Sequence, residues 1–179
     1  MIRIITGKLK GRMLEVANVS RPITDRIRTS IFDTVSPIIE GAAVLDLYAG
    51  SGVFGLELIS RGASRTVFVE KTWSATEAIK RNIKLTKTED QTEVVMRTVQ
   101  AYLKDSTEEF DIIMLDPPFA LAPAEKYDDL LQAVKNIAAG GIIIFRFPSK
   151  ESYTDTPTGL EFVFSKKFGL STVNYYRKA

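Results

Sequence analysis

The chain has 179 residues, 45% hydrophobic and 26% charged, ordinary values for one globular unit that can bury roughly 70% of its unfolded surface without metals or cross-links. It contains neither cysteine nor histidine, which excludes disulfide scaffolds, thiolate nucleophiles, iron–sulfur ligation, Ser-His-Asp triads and most transition-metal sites, so any chemistry must run on carboxylates, hydroxyls, amines and backbone groups. The net charge of +2 hides a gradient: residues 1–28 carry Arg3, Lys8, Lys10, Arg12, Arg21, Arg26 and Arg28 against only Glu15 and Asp25, and the remainder is net acidic.

That basic start is the first predicted element. Residues 2–6 and 12–16 alternate like short strands around Gly7 and Gly11, a basic hairpin closed by Pro22. Such an arm attracts phosphates by counterion release; the plainer account is a charged edge that keeps the sheet from aggregating. No charged-then-apolar leader and no membrane-length apolar run is present, so a cytoplasmic location is expected. Thr24 is placed to cap a helix with the stripe Ile27, Ile31, Phe32 and Val35, ending before Pro37. The expected organisation is one domain, with the arm over 1–23 and the core over 24–179.

From Ala43 short apolar runs alternate with helical segments. Strands are expected at 43–47, 66–70, 93–96, 111–116 and 141–145, and helices at 73–87 and 126–138, the latter with the stripe Tyr127, Leu130, Leu131, Val134 and Ile137 ended by Gly140-Gly141. Apolar strands joined by helices predict an α/β fold around a mostly parallel sheet. Residues 160–168 and 171–177 flank Gly169 with no helix between them, a C-terminal antiparallel hairpin. Ser74 and Glu77 have capping-box spacing, which would make Trp73 a hydrophobic staple, and Tyr175 to Lys178 reads as edge-strand packing.

Two segments carry chemistry. The first strand runs into Gly50-Ser51-Gly52-Val53-Phe54-Gly55, a G-x-G-x-x-G where a tight turn must let a ligand approach backbone amides. Alone the pattern also describes a structural turn. Glu70 ends the second strand 18 residues beyond Gly52, where a carboxylate could accept both ribose hydroxyls of a nucleoside cofactor. Asp46, just ahead of the loop, is ill suited beside a pyrophosphate and well suited to a cation, which favours S-adenosylmethionine over a nicotinamide; a turn-bonding aspartate is the alternative. The second segment, Asp116-Pro117-Pro118-Phe119, follows the fourth strand at the carboxyl edge of the sheet. Its prolines remove N–H donors, leaving the Asp116 carboxylate and the Pro117 carbonyl as acceptors for an exocyclic amine, with Phe119 as a stacking surface; an ordinary Pro-Pro turn is the alternative.

Together, Arg3 to Lys8 with Gly11-Arg12, Arg21 to Arg28, Leu45 to Gly52, Glu70 and Asp116 to Phe119 resemble the bacterial small-subunit ribosomal RNA guanine-N2 methyltransferases, along nearly the whole chain. The resemblance implies a Rossmann-like class I methyltransferase fold, with a seven-stranded mostly parallel sheet, the C-terminal antiparallel hairpin, and a small N-terminal basic hairpin and helix. It implies S-adenosylmethionine held by Asp46, Tyr48, Gly50, Ser51, Gly52, Glu70, Thr98 and Val99, and a guanine held by Asp116, Pro117 and Phe119. Ribosomal RNA, or the assembling small subunit, would be gripped by the basic arm, with the chain acting as a monomer and no membrane partner. Two positions depart from the pattern. Thr98-Val99 stands where relatives carry an acid or amide near the adenine amine, and Arg146 stands where an acidic residue is usual and reads as a surface ion pair. Three readings compete with this one: an amine methyltransferase acting on DNA adenine or protein glutamine, a nicotinamide-dependent reductase, and an RNA-binding module without activity.

Overall fold

The computed structural model describes residues 1–17 and 23–179. Among the described residues nine strands and five α-helices succeed one another as β1 (Ile2–Arg3), β2 (Met13–Leu14), α1 (Asp25–Val35), β3 (Ala43–Leu47), α2 (Val53–Ser60), β4 (Arg65–Glu70), α3 (Trp73–Thr86), β5 (Thr92–Met96), α4 (Val99–Asp105), β6 (Phe110–Leu115), α5 (Pro123–Ala133), β7 (Ile137–Pro148), β8 (Leu160–Phe168) and β9 (Ser171–Lys178). Strands β3 to β9 form one sheet in the order β5-β4-β3-β6-β7-β9-β8. Only β9 is reversed: it pairs antiparallel with both neighbours, whereas β3 to β7 pair in parallel. The strand order reverses direction at β3, where β4 lies on one side and β6 on the other, and open α/β sheets bind ligands at the carboxyl ends of such strands.

Alternation along the central strands divides the core. Val44, Ile112, Met114 and Ile144 pack with Ile27, Ile31 and Phe32 of α1 and Phe54, Leu58 and Ile59 of α2. Leu45, Leu47, Ile113, Leu115 and Ile143 pack on the other face with Val99, Tyr102 and Leu103 of α4 and Leu130 and Ala133 of α5. Asp46 therefore belongs to the α1/α2 face. Thr24 caps α1 as expected, accepting the Ile27 N–H at 3.4 Å.

The basic arm forms a hairpin shorter than the alternation suggests, two residues in each strand. It is fastened to α2 and α3. Ile4 and Leu14 are buried against Leu56, Phe68, Ile79 and Ile83. The Glu57 carboxylate, fully buried in α2, accepts the N–H groups of Ile5 and Thr6 at 2.9–3.1 Å. Lys8 N–H donates to the Ser60 carbonyl at 2.7 Å, and at this crossing Gly7 has φ +86° with Ser60 O only 1.8 Å from where a Cβ would sit. Gly7→Ala should push the arm off α2, costing about 2–4 kcal/mol and lowering Tm by several degrees. Thermal unfolding checks this, and an unchanged midpoint contradicts it.

Four expectations change. Tyr175 to Lys178 do not lie on an edge strand, because β9 runs between β7 and β8 and both tyrosines are buried. Ile137–Ala139 is strand, and Gly140-Gly141 lie inside β7. Ile137 pairs with Phe110 and Ile142 with Ile112, so the extra residues on β7 make an irregularity, and Gly140 at φ +75° marks that bulge, not a helix end. The helix ends earlier, at Ala133, and Leu131 is 42% exposed, off the predicted stripe. Trp73 is not a staple: α3 begins at Trp73 itself, Thr72 occupies the cap position, and the indole is 68% exposed.

Candidate active site

The glycine loop follows β3 as predicted. Gly52 caps α2 in the left-handed region at φ +73°, which lets the chain reverse from strand into helix. Gly55 serves close packing, because a Cβ there would lie 2.4 Å from the Phe68 ring. The Gly55 N–H, in the first turn of α2, donates to Asp46 Oδ2 at 3.1 Å, the only protein donor that reaches this carboxylate among the described residues. Burial, opposed by that hydrogen bond and reinforced by the charges of Asp116 and Glu70, pushes the Asp46 carboxyl up to about 8. A buried acid so poorly compensated is a place for a cation.

Glu70, at the end of β4, ties the loop to the following turn: Oε2 accepts the Gly50 N–H at 3.0 Å and Oε1 the Thr72 N–H at 2.9 Å. A carboxylate has about four acceptor sites, so each oxygen keeps capacity for a ribose hydroxyl. Beside it opens a cavity of about 160 Å³ lined by Tyr48, Glu70, Arg97, Val99, Gln100 and Pro118 among others. Tyr48 adopts φ 61°, unusual for a residue with a side chain, and its hydroxyl donates to Asp129 Oδ2 at 2.6 Å. Gln100 Nε2 donates to the same hydroxyl at 2.9 Å and to Asp129 Oδ1 at 2.6 Å. Burial, then the bond to Asp129, raises the Tyr48 phenol, and burial also raises Asp129. A buried apolar wall (Val69, Val99) with polar edges and a carboxylate that keeps acceptor capacity suits the nucleoside half of S-adenosylmethionine, and the undercompensated Asp46 suits its cationic half.

The expected cofactor residues divide. Asp46, Tyr48, Gly50, Gly52, Glu70 and Val99 gather around the loop and cavity. Thr98 is instead exposed and caps α4, accepting the Ala101 N–H at 3.2 Å. The Ser51 hydroxyl is engaged elsewhere, accepting the Ala17 N–H at 2.7 Å, and the buried Asn82 side chain joins the Ser51 and Glu15 carbonyls at 2.9 Å each while accepting the Glu15 N–H. Ser51 therefore links the arm to the glycine loop.

On the other side of β3, Asp116 leaves β6 with Pro117 buried behind it, and among the described residues no donor reaches the Pro117 carbonyl. Phe119 is 38% exposed. Its carbonyl accepts Lys126 Nζ at 3.1 Å, and Lys126, wholly buried, also pairs with Glu151 at 2.8 Å. Tyr153 donates to the same carboxylate at 2.7 Å. This network pins the loop that carries Phe119. Arg146 is not the free surface ion pair expected of it: Nη1 donates to Asp116 Oδ1 at 2.8 Å and Oδ2 at 3.1 Å, the side chain is only 13% exposed, and the guanidinium lies 4.7 Å from the Phe119 ring centroid.

Of the basic residues of 1–28 expected to contact RNA, Arg3, Lys8, Lys10, Arg12 and Arg26 are exposed, and Arg21 falls outside the described residues. Arg28 is a correction. It is 2% exposed, donates to Asp25 at 2.6 Å and to the Arg3 carbonyl at 3.3 Å, and lies 3.8 Å from Glu57, so its charge is spent inside the fold.

Known proteins resemble this chain along nearly its whole length. The sequence pattern described as conserved hypothetical protein 95 matches residues 2–177. The chain belongs to that family. A Bacillus subtilis protein, YlbH, provisionally named an rRNA methyltransferase, is 32% identical over 99% of each chain. The ribosomal RNA small subunit methyltransferase D of Haemophilus influenzae is 31% identical over 98% of this chain and 93% of its own. A solved Escherichia coli structure, provisionally named a methyltransferase, has a TM-score of 0.89 at 27% identity, over 99% of this chain and 97% of its own. The fold is that of the class I methyltransferases, and the seven-stranded, mostly parallel sheet with a C-terminal antiparallel hairpin expected from the resemblance is present.

Proposed function

We propose that this chain transfers the methyl group of S-adenosylmethionine to the exocyclic N2 of a guanine in small-subunit ribosomal RNA, acting as a monomer in the cytoplasm. The observation that carries the reading is a pair of acceptors, the Asp116 carboxylate, which Arg146 holds, and the Pro117 carbonyl, which no donor reaches among the described residues, at the carboxyl end of β6 and next in the sheet to the buried, undercompensated Asp46 of β3. No helix among the described residues is long and apolar enough to cross a membrane.

When bound, S-adenosylmethionine supplies a methyl carbon made electrophilic by a positive sulfur. Asp46 balances the positive charge of that ligand, Glu70 accepts its ribose hydroxyls, and Tyr48, Val99 and Gln100 wall its base. Asp116 and the Pro117 carbonyl each accept one hydrogen of the guanine amine, which turns the nitrogen lone pair out of the ring plane and towards the methyl carbon. A nitrogen–carbon bond forms as the carbon–sulfur bond breaks, the sulfur keeps that bond's electron pair, and S-adenosylhomocysteine is released. The methylated amine is cationic and acidic, so its proton passes to solvent without a dedicated base.

The exposed Arg3, Lys8, Lys10, Arg12 and Arg26 supply phosphate contacts. Replacing Arg3, Lys8 and Arg12 together with Ala should weaken RNA binding and reduce the slope of log affinity against log salt by about 2–3. A filter-binding series in salt checks it, and an unchanged slope makes these residues solvated edge charges.

The test of the function is transfer of labelled methyl to a panel of acceptors: free small-subunit RNA, assembled small subunits, duplex DNA and protein. Label recovered in N2-methylguanosine after digestion is the expected result. Label in adenine or glutamine, or tight RNA binding with no uptake of S-adenosylmethionine, overturns it.

A further inference from the structure

We propose that Arg146 is a positioning residue of the acceptor site, holding the Asp116 carboxylate and the Phe119 ring in one fixed arrangement to receive the base. The inference rests on the reading that Asp116 receives the acceptor amine. Arg146 lies on β7, and its even-numbered register, with Ile142 and Ile144, puts it on the same side of the sheet as Met114 and Asp116. Three neighbours occupy the guanidinium. Nε and Nη2 donate to Ser171 Oγ of β9 at 3.2 and 3.1 Å, Nη1 spans both oxygens of Asp116 at 2.8 and 3.1 Å, and the cation lies 4.7 Å from the Phe119 ring centroid. Ser171 is 4% exposed, so the anchor is buried. Only a planar fork with several donors can reach a hydroxyl and a carboxylate together and still lie against a ring; a lysine ammonium cannot.

The arrangement has a chemical consequence. An ionised Asp116 offers only acceptors to the incoming amine, whereas a protonated one presents a hydroxyl donor to a group that is itself a donor. Burial pushes this carboxyl up, and the Arg146 charge and hydrogen bonds pull it back down. The other charged group that faces it is Asp46 on β3, an acid which adds no compensation. On the β9 side the neighbour is the uncharged Ser171, and beyond Phe119 the Lys126 charge is met by Glu151. Arg146 is thus the cation that opposes the effect of burial on Asp116, whose carboxyl still stands above its ordinary value.

The test is a carbon-13 NMR titration of the aspartate carboxyls, with the Asp116 signal assigned by its loss in Asp116→Asn, set beside the pH dependence of kcat. In Arg146→Met the Asp116 midpoint should rise by about one pH unit or more, and the acidic limb of kcat should rise with it, while the Kd for S-adenosylmethionine stays within about twofold. Arg146→Lys keeps the charge and loses the fork, so its Asp116 midpoint should stay near wild type while kcat falls about tenfold. A residue that merely stabilised the fold would lower Tm without moving the titration. An unmoved Asp116 midpoint in Arg146→Met overturns the proposal; should that variant not fold, wild-type kcat in Arg146→Lys overturns it. The NMR titration does not need turnover, so a failure of the proposed reaction, seen as no transfer by the wild-type chain to any RNA, is distinguishable from a failure of this inference.

Discussion

Asp116→Ala should lower kcat for methyl transfer by at least 10²–10³-fold, with S-adenosylmethionine bound as tightly as before or slightly tighter. The loss follows from geometry: one of two acceptors that orient the amine disappears, and the Pro117 carbonyl alone cannot hold both hydrogens on one side. The retained affinity follows from electrostatics. Asp116 is one of the charges that raise the Asp46 carboxyl, so its removal makes Asp46 easier to ionise and a better partner for a cation. Single-turnover kinetics and calorimetry on the same preparation check both halves. Turnover within tenfold of wild type would remove Asp116 from the site, and a parallel collapse of cofactor affinity would make it structural.

Asp46→Asn should do the reverse, stabilising the free protein while reducing affinity for S-adenosylmethionine by about 10²–10³-fold. Burial and the neighbouring acids push the folded carboxyl up to about 8 from its ordinary 3.8. A raised acid holds its proton in the fold and loses it in the unfolded chain between those values, so the free protein should lose stability as pH rises from about 4 to about 8, with the full penalty above 8. Asparagine keeps an acceptor for the Gly55 N–H and carries no charge, so the pH-dependent loss should shrink and Tm at pH 8 should rise by several degrees, on the order of 2 kcal/mol. The same linkage gives ligand binding a sign: affinity for a cation should increase through pH 8 in the wild-type chain and stay flat in Asp46→Asn. Thermal melts and calorimetry between pH 6 and 9 read both. A wild-type affinity that falls across this range would contradict the assignment of Asp46 to the cation.

What was legible in the sequence was what local chemistry decides. Apolar runs at 43–47, 66–70 and 111–116 became parallel strands because both their faces are covered, and Gly169 turns the final hairpin where the alternation resumes. The glycine loop, Asp46 and Glu70 were legible because a backbone turn and two strand ends fix their places with little help from elsewhere. Residues 137–140 read as a helix end because Ile137 satisfies a helical stripe and a strand start equally well, and pairing with Phe110 decides between them. Arg28 counts like any other arginine in a charge tally, and only the approach of Glu57 from α2 buries it. Gln100 and Asp129 come from different helices, and no spacing in the chain announces their meeting around Tyr48. Arg146 is a different case: once β7 is set beside β6, its register already places it near Asp116.

The central claim is that the acceptors at the end of β6 present a guanine amine of small-subunit ribosomal RNA to a methyl donor held over β3. Nucleotide-resolution mapping of N2-methylguanosine in that RNA, from cells lacking the protein and from the same cells given back wild type or Asp116→Ala, tests it most directly. The account predicts one guanine that loses its methyl group without the protein, regains it with wild type and stays unmodified with the variant. An identical methylation map in all three strains would contradict it.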